Sequence, residues 1–295
     1  MIGRSGLSRI SCFTVSSIYD LALSRFPDTM RIETTNACNA KCVICAHQKM
    51  QRPITHMDDA LYKRLIDECA SYNCRTVHLH NFGEPLMDRD LVKRVEYAKK
   101  KGLKRVKIFS NGSLLTADKA KELIDAGLDE IKISFDGATK QEFERIRFGL
   151  SFDRVVANIK ELVKIRDRSK SSLKIKVACC STSDKDATMR SLENCVDGFS
   201  FDKVHNWADS DINHAVKSSI RMPCSRLWRT FTVLSNGSVA LCCLDYEGKV
   251  VLGDTNEKSI FEIWHNEHYK KIRLLHKTAQ QDQIAICRNC TKSFW

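Results

Sequence analysis

Through the first two-thirds of the chain, short apolar runs alternate with stretches of helical periodicity. Met30 to Thr34 predicts a strand. Asp58 to Tyr72 predicts a helix, opened by the acidic pair Asp58 and Asp59, which suits a helix N-terminus. Thr76 to Leu79 predicts a strand, and Asp90 to Lys101 a helix closed by Gly102. Arg105 to Phe109 is a further strand; Thr116 then caps a helix over Ala117 to Ala126, stopped by Gly127. Glu130 to Phe135 predicts a strand, followed by helices over Thr139 to Arg147 and Phe152 to Arg168. Leu173 to Ala178 is a strand, Ala187 to Val196 a helix, and Lys203 to Asn206 a last, weaker strand.

Strands that alternate strictly with helices pair in parallel through right-handed crossovers. Six such units predict an α/β fold, either an open doubly wound sheet or a partial barrel. In both, ligands sit at the carboxyl ends of the strands. The residues there are rich in chemistry: Cys38 to Cys45, Asn81 to Pro85, Ser110-Asn111-Gly112 and Ser134-Phe135-Asp136-Gly137.

The texture changes after about residue 215. Phe231 to Leu234 and Ser238 to Leu241 flank Asn236-Gly237, a hairpin turn signal. Ile260 to Leu275 predicts one amphipathic helix. A hairpin and a single helix bury little surface, so a metal would be a natural staple for this module. The expected organisation is an N-terminal extension over 1–29, a main domain over 30–215 and a small module over 216–295.

Composition narrows the class. The chain has 295 residues, 43% of them apolar, with 12 Gly and 4 Pro, so it can bury a real core. Its 14 cysteines do not read as a secreted disulfide scaffold, because the chain is long and helix-rich. Met1 to Asp28 lacks the apolar run of a signal peptide, and nothing approaches a membrane span. A cytoplasmic protein with thiols free or bound to metal is expected. The formal charge of +12 would suit nucleic acid, but the cations are spread along helical faces such as Lys93 to Lys107. Nucleic acid is therefore not the expected partner.

Cys38, Cys42 and Cys45 form Cys-x3-Cys-x2-Cys after the first strand. Three thiolates on a loop can grip one face of a cubic iron–sulfur cluster and leave one iron open to a small molecule. A zinc site completed by His47 is the alternative. Cys224, Cys242, Cys287 and Cys290 supply four more thiolates, enough to close either Zn(Cys)4 or a 4Fe–4S cluster. Cys243 could substitute for Cys242.

The triad and the strand ends together resemble the radical S-adenosylmethionine superfamily, whose fold is a partial (β/α)6 TIM-like barrel. Phe82-Gly83-Glu84-Pro85 is similar to its Gly-Gly-Glu-Pro motif, with Phe82 in place of the first Gly. Ser110-Asn111-Gly112 resembles its Thr-Asn-Gly loop, and Ser134-Phe135-Asp136-Gly137 its Ser-x-Asp-Gly strand end. The resemblance implies that the open iron chelates S-adenosylmethionine. It further implies that Ile44, Gly83, Glu84, Ser110, Asn111, Ser134, Asp136 and Arg147 contact that cosubstrate. The last cysteines resemble the SPASM extension or its shortened twitch form, together with Trp228, a Gly253-Asp254 turn and the Ile260 to Trp264 helix. That implies a second, auxiliary 4Fe–4S cluster, and a flavodoxin or ferredoxin as reductant.

The resemblance, which in the module includes its cysteine spacing, implies an oxidation of dehydrogenase type. Its substrate would be a small polyol or aminocyclitol, as in the single-auxiliary-cluster aminocyclitol dehydrogenases. A peptide substrate is the alternative, disfavoured because only about 29 residues precede the first strand. A non-catalytic metal-binding protein is a third reading, opposed by the intact triad and Glu84. His80 and His205 are the candidates for lining the substrate pocket.

Overall fold

The computed structural model describes residues 14–20, 25–192, 195–208 and 222–291. Its strands form one nine-stranded sheet. Six of them follow the predicted alternation: β1 Thr29–Ile32, β2 Thr76–His78, β3 Val106–Ser110, β4 Glu130–Ser134, β5 Lys174–Cys179 and β6 Gly198–Phe201. Each pairs in parallel with the next. The helices between them include Asp59–Ser71, Leu91–Lys100, Ala117–Asp125, Lys140–Ile146 and Phe152–Arg168. The Asp58, Thr116, Thr139 and Ser151 side chains cap the helices they precede by accepting from first-turn N–H groups.

The sheet has two unlike faces. Met30, Ile32, Val77, Val106, Ile108, Ile131, Ile133, Ile175 and Val177 are fully buried and form the apolar layer under the helices. The alternate positions carry Arg31, His78, His80, Lys107, Phe109, Lys132 and Lys176. Period-2 geometry turns these polar side chains into the interior of a partial (β/α)6 barrel.

The small module is not a separate appendage. Its first strand, β7 Thr230–Val233, pairs in parallel with β1, so the barrel sheet runs directly into the module. β8 Ser238–Ala240 and β9 Val251–Asp254 continue it in antiparallel fashion. Gly253 and Asp254 thus belong to a strand and not to a turn.

Three further expectations shift. The last barrel strand is 198–201; the stretch Lys203 to Asn206 is irregular. The helix before it is Lys185–Arg190, because Asp184 caps it early by accepting from Asp186 and Ala187 N–H. Ile260 to Leu275 is two helices, Ile260–Trp264 and Glu267–Lys277. The Asn266 side chain accepts from Tyr269 N–H and starts the second. The expected domain boundary at 215/216 lies outside the described residues. Residues 14–20 are helical and join the module through Asp20, which accepts from Trp228 Nε1 at 2.8 Å and pairs with Lys277.

Candidate active site

The Cys38–Cys45 loop leaves β1 at the carboxyl edge of the barrel. Lys41 N–H donates to Phe148 O and Val43 N–H to Ile146 O, which seats the loop against the helix Lys140–Ile146. Burial pushes the Cys38 thiol up to about 12, and the charges of Glu84, Cys42 and Cys45 push it the same way. Burial raises Cys45 to about 11, with the Cys42 charge adding to it. The thiols therefore share one poorly solvated neighbourhood. Among the described residues, no three Cys, His, Asp or Glu side chains are placed to hold a single metal ion. A cubic cluster asks less of its ligands, since each thiolate grips a different iron. A cationic iron site would draw protons off these thiols, the usual coupling of metal binding to deprotonation. His47 Nε2 lies 2.7 Å from the Asn36 carbonyl and donates to it, so it braces the loop.

The Gly83-Glu84 turn packs directly on the entry to that loop. Glu84 N–H donates to Ala37 O at 2.7 Å. Gly83 has φ +83°, and a Cβ there would sit 2.6 Å from Ala37 O, so only glycine fits. The Glu84 carboxylate is buried. It accepts from Ser110 Oγ at 2.7 Å, Asn111 N–H at 2.6 Å and Leu86 N–H at 3.0 Å. Burial raises its pKa despite these donors. Ser110 and Asn111, at the end of β3, thus orient Glu84, and Asn111 Nδ2 also donates to Asn39 inside the cysteine loop.

Asp136, just past β4, and Arg147 pair with one another beside Cys42. One Asp136 oxygen accepts from Cys180 and Ser181 N–H, at 2.5 and 2.7 Å. The other accepts Arg147 Nε at 2.7 Å and the Nη2 of the same guanidinium. Arg147 Nη1 reaches to 3.7 Å from Cys42 Sγ. Burial alone would lower the Arg147 pKa; Asp136 and Cys42 outweigh it and raise it. Ser134 closes β4 on the same face as Lys132. Ile44 is half-buried, and its carbonyl accepts Trp207 Nε1 at 2.8 Å.

His80 lies in the interior, stacked on Phe109 with centroids 4.4 Å apart. Its Nδ1 accepts from Phe109 N–H and its Nε2 faces Arg31, so both ring nitrogens are engaged. Burial, then Arg31 and Lys107, hold its pKa well below the usual histidine range. His205 is half-buried just past β6, edge-on to Trp207 at 4.3 Å. Phe82, at the position of the family's glycine, meets Trp207 and the module's Tyr246.

The module's cysteines also gather. Burial raises the Cys242 thiol well above the usual range, and Cys243, Cys287 and Cys224 add to the effect. Cys243 instead holds the Arg226 guanidinium at 2.7 Å. Asn206, at the end of the stretch expected to be the last strand, clamps the last cysteine pair. Its Nδ2 donates to Asn289 O at 2.7 Å, and its Oδ1 accepts from Thr291 Oγ1 at 3.0 Å.

Sequence reasoning missed Glu33. Fully buried, it pairs with both Arg52 amino groups at 2.9 and 3.0 Å and accepts from Ser235 N–H and Oγ. Arg52 Nε in turn donates to Tyr246 O at 2.7 Å. The only signal was an acidic residue just past an apolar strand.

Comparison with known proteins agrees with this geometry. Residues 32–173 match the model of the radical SAM superfamily, and 224–291 that of an iron–sulfur cluster-binding domain, SPASM. The S-adenosyl-L-methionine-dependent 2-deoxy-scyllo-inosamine dehydrogenase of Niallia circulans is 25% identical over 267 residues, 88% of this chain and 91% of that one. The probable GTP 3′,8-cyclase of Methanopyrus kandleri is 34% identical over 173 residues, 58% of this chain but only 53% of that one. Among solved structures, BtrN in complex with AdoMet and 2-DOIA superposes with a TM-score of 0.64 at 20% identity, covering 90% and 93% of the two chains. Streptococcus suis SuiB bound to its precursor peptide SuiA gives a TM-score of 0.70 at 14% identity, covering 88% and 69%. The chain belongs to the radical SAM superfamily of enzymes and carries a C-terminal SPASM iron–sulfur cluster-binding domain.

Proposed function

We propose that this enzyme carries out a two-electron oxidation of a small hydroxylated molecule held in the barrel interior, with the module's metal centre as electron acceptor. The observation that carries this reading is the junction of β1 and β7. Arg31 on β1 pairs in register with Thr232 on β7, and the charges of Cys243 and Cys242 act on its buried guanidinium, which supports a metal centre beside the barrel interior. An acceptor there stands next to a substrate bound inside. The near full-length likeness to an inosamine dehydrogenase supports the same class.

Two 4Fe–4S clusters fit the donor sets: one on Cys38, Cys42 and Cys45, one on Cys224, Cys242, Cys287 and Cys290. When bound, the first with S-adenosylmethionine would supply a 5′-deoxyadenosyl radical, and the second a one-electron sink. The chain's own residues do the rest. Glu84, fixed by Ser110 and Asn111, is an acceptor for the cosubstrate's amino group. Ile44 lies within the cysteine loop, Asn111 holds it through Asn39, and Arg147, locked on Asp136, offsets thiolate charge at Cys42. The substrate would lose a hydrogen atom, a proton and an electron. Burial, with Arg31 and Lys107 beside it, makes His80 a weak proton acceptor, and His205 is the histidine assigned to the proton. A flavodoxin or ferredoxin would supply the starting electron.

The test uses anaerobically reconstituted protein and polyols deuterated at the carbinol carbon. Deuterium in 5′-deoxyadenosine, with a ketone product, supports the reading. A Cys242→Ala variant should still cleave S-adenosylmethionine but lose the ketone. Ketone formation unchanged in that variant would contradict the acceptor role.

A further inference from the structure

The barrel interior carries more positive charge than the reaction machinery uses. Arg31 and Arg226 lie against the module's cysteines and offset their charge. Lys107, Lys132 and Lys176 lie elsewhere, on β3, β4 and β5. Among the described residues, Glu130 is the one carboxylate they touch. It bonds Lys107 at 3.1 Å and Lys176 at 3.3 Å, and also Arg105 at 2.6 Å. Lys132 meets no carboxylate among the described residues; its ammonium lies 5.3 Å from the Phe109 ring. Burial would raise Glu130, yet its cations pull it down to about 2, and burial with repulsion from Arg105 and Lys176 lowers Lys107. Both shifts are the signature of surplus cations around one acid.

The register makes the surplus costly. Lys132 and Lys176 are direct partners on neighbouring parallel strands. Like charges set opposite one another in a sheet are destabilising. Lys176 and Lys107 keep 39% and 14% of their side-chain surface exposed, so a ligand can reach them. Lys132 lies two residues before Ser134 on the same face, about 7 Å below the strand ends. An anion docked on the lysines would therefore hold the rest of its molecule up toward the cysteine loop.

We propose that the substrate carries a phosphate or carboxylate group that docks inside the barrel against Lys107, Lys132 and Lys176. This rests on the reading that the substrate occupies the barrel interior, and it narrows the substrate class. The Niallia circulans relative is named for an inosamine, an amine that is cationic at neutral pH. Three lysines with one acid among them, touching only Lys107 and Lys176, would repel such a cation, so this enzyme's substrate differs in charge.

The test is anaerobic calorimetry on the reconstituted enzyme with S-adenosylmethionine, using myo-inositol 1-phosphate, glucuronate, myo-inositol and scyllo-inosamine as probes. At least one anionic probe should bind tenfold or more tighter than myo-inositol, with the inosamine weakest; the two anions tell phosphate from carboxylate. Lys132→Met should lose that tenfold preference, Lys132→Arg should keep it, and Lys132→Met should melt no lower than wild type. Equal binding of neutral and anionic probes, tighter binding of the inosamine, or an anion preference untouched by Lys132→Met would overturn the proposal. Formation of 5′-deoxyadenosine by wild type is read separately: its absence defeats the radical-oxidation reading, while the binding preference still decides the anion site.

Discussion

Trp207 Nε1 donates to the Ile44 carbonyl at 2.8 Å, tying the end of the barrel to the residue before Cys45. Trp207 holds φ +50° to do so, an uncommon backbone for a tryptophan. Its ring meets Phe82 on one side and His205 on the other. The indole thus fixes the cysteine loop from above. Trp207→Phe keeps the ring packing and loses the hydrogen bond, worth about 1 kcal/mol. Binding of S-adenosylmethionine to the reconstituted enzyme should weaken about fivefold. Trp207→Ala should weaken it further; calorimetry checks both.

Gly83→Ala should be more severe. The new methyl would press on the Ala37 carbonyl and occupy a left-handed backbone, a strain of about 1–3 kcal/mol. Because Glu84 and Cys38 flank that contact, S-adenosylmethionine cleavage should fall at least tenfold while far-UV circular dichroism stays native. Near-normal cleavage would show that the turn does not position Glu84.

Glu33 joins the barrel to the module through Arg52 and Ser235. Glu33→Gln leaves the Arg52 charge buried without its partner and should cost about 3–5 kcal/mol of stability. Adding Arg52→Met should return much of the loss, since it removes the stranded charge. Urea unfolding of the single and double variants measures both effects.

Glu130 makes stability depend on acid. Its folded pKa of about 2 lies below the unfolded value of about 4.3. The stabilisation is therefore fully present above about pH 4.3 and is lost as pH falls through 2. Arg105 and Lys176 are partly exposed, so salt screens the effect to about 1–2 kcal/mol. In Glu130→Gln, the slope of unfolding free energy between pH 5 and 2 should flatten by that amount. An unchanged slope would mean the cations do not hold the carboxylate.

Local patterns carried most of the barrel into view. The helix Phe152–Arg168 falls on its predicted residues because Ser151 caps it and its apolar stripe runs unbroken. The short β6 escaped because Gly198–Phe201 is only half-buried and lacks an apolar run. The break at Asn266 was hidden because the apolar period continues across it, while a single side-chain cap decides the start. The Gly83-Glu84 turn, through its resemblance to the family's motif, and the cysteine triad, through its spacing, stood out as candidates because each lies in one contiguous segment. The β1–β7 pairing, Glu33 with Arg52 and the lysines inside the barrel did not. They depend on which strands neighbour which, and no window of sequence contains both partners.

The central claim, two iron–sulfur clusters on two cysteine sets, is tested most directly by counting iron and zinc per chain. The measurement compares anaerobically purified wild type with a Cys38→Ala/Cys42→Ala/Cys45→Ala variant. The account predicts about eight irons falling to about four, with no zinc. About four irons with one zinc would make the module structural and remove its role as electron acceptor. Zinc without iron under reconstitution conditions would contradict the account altogether.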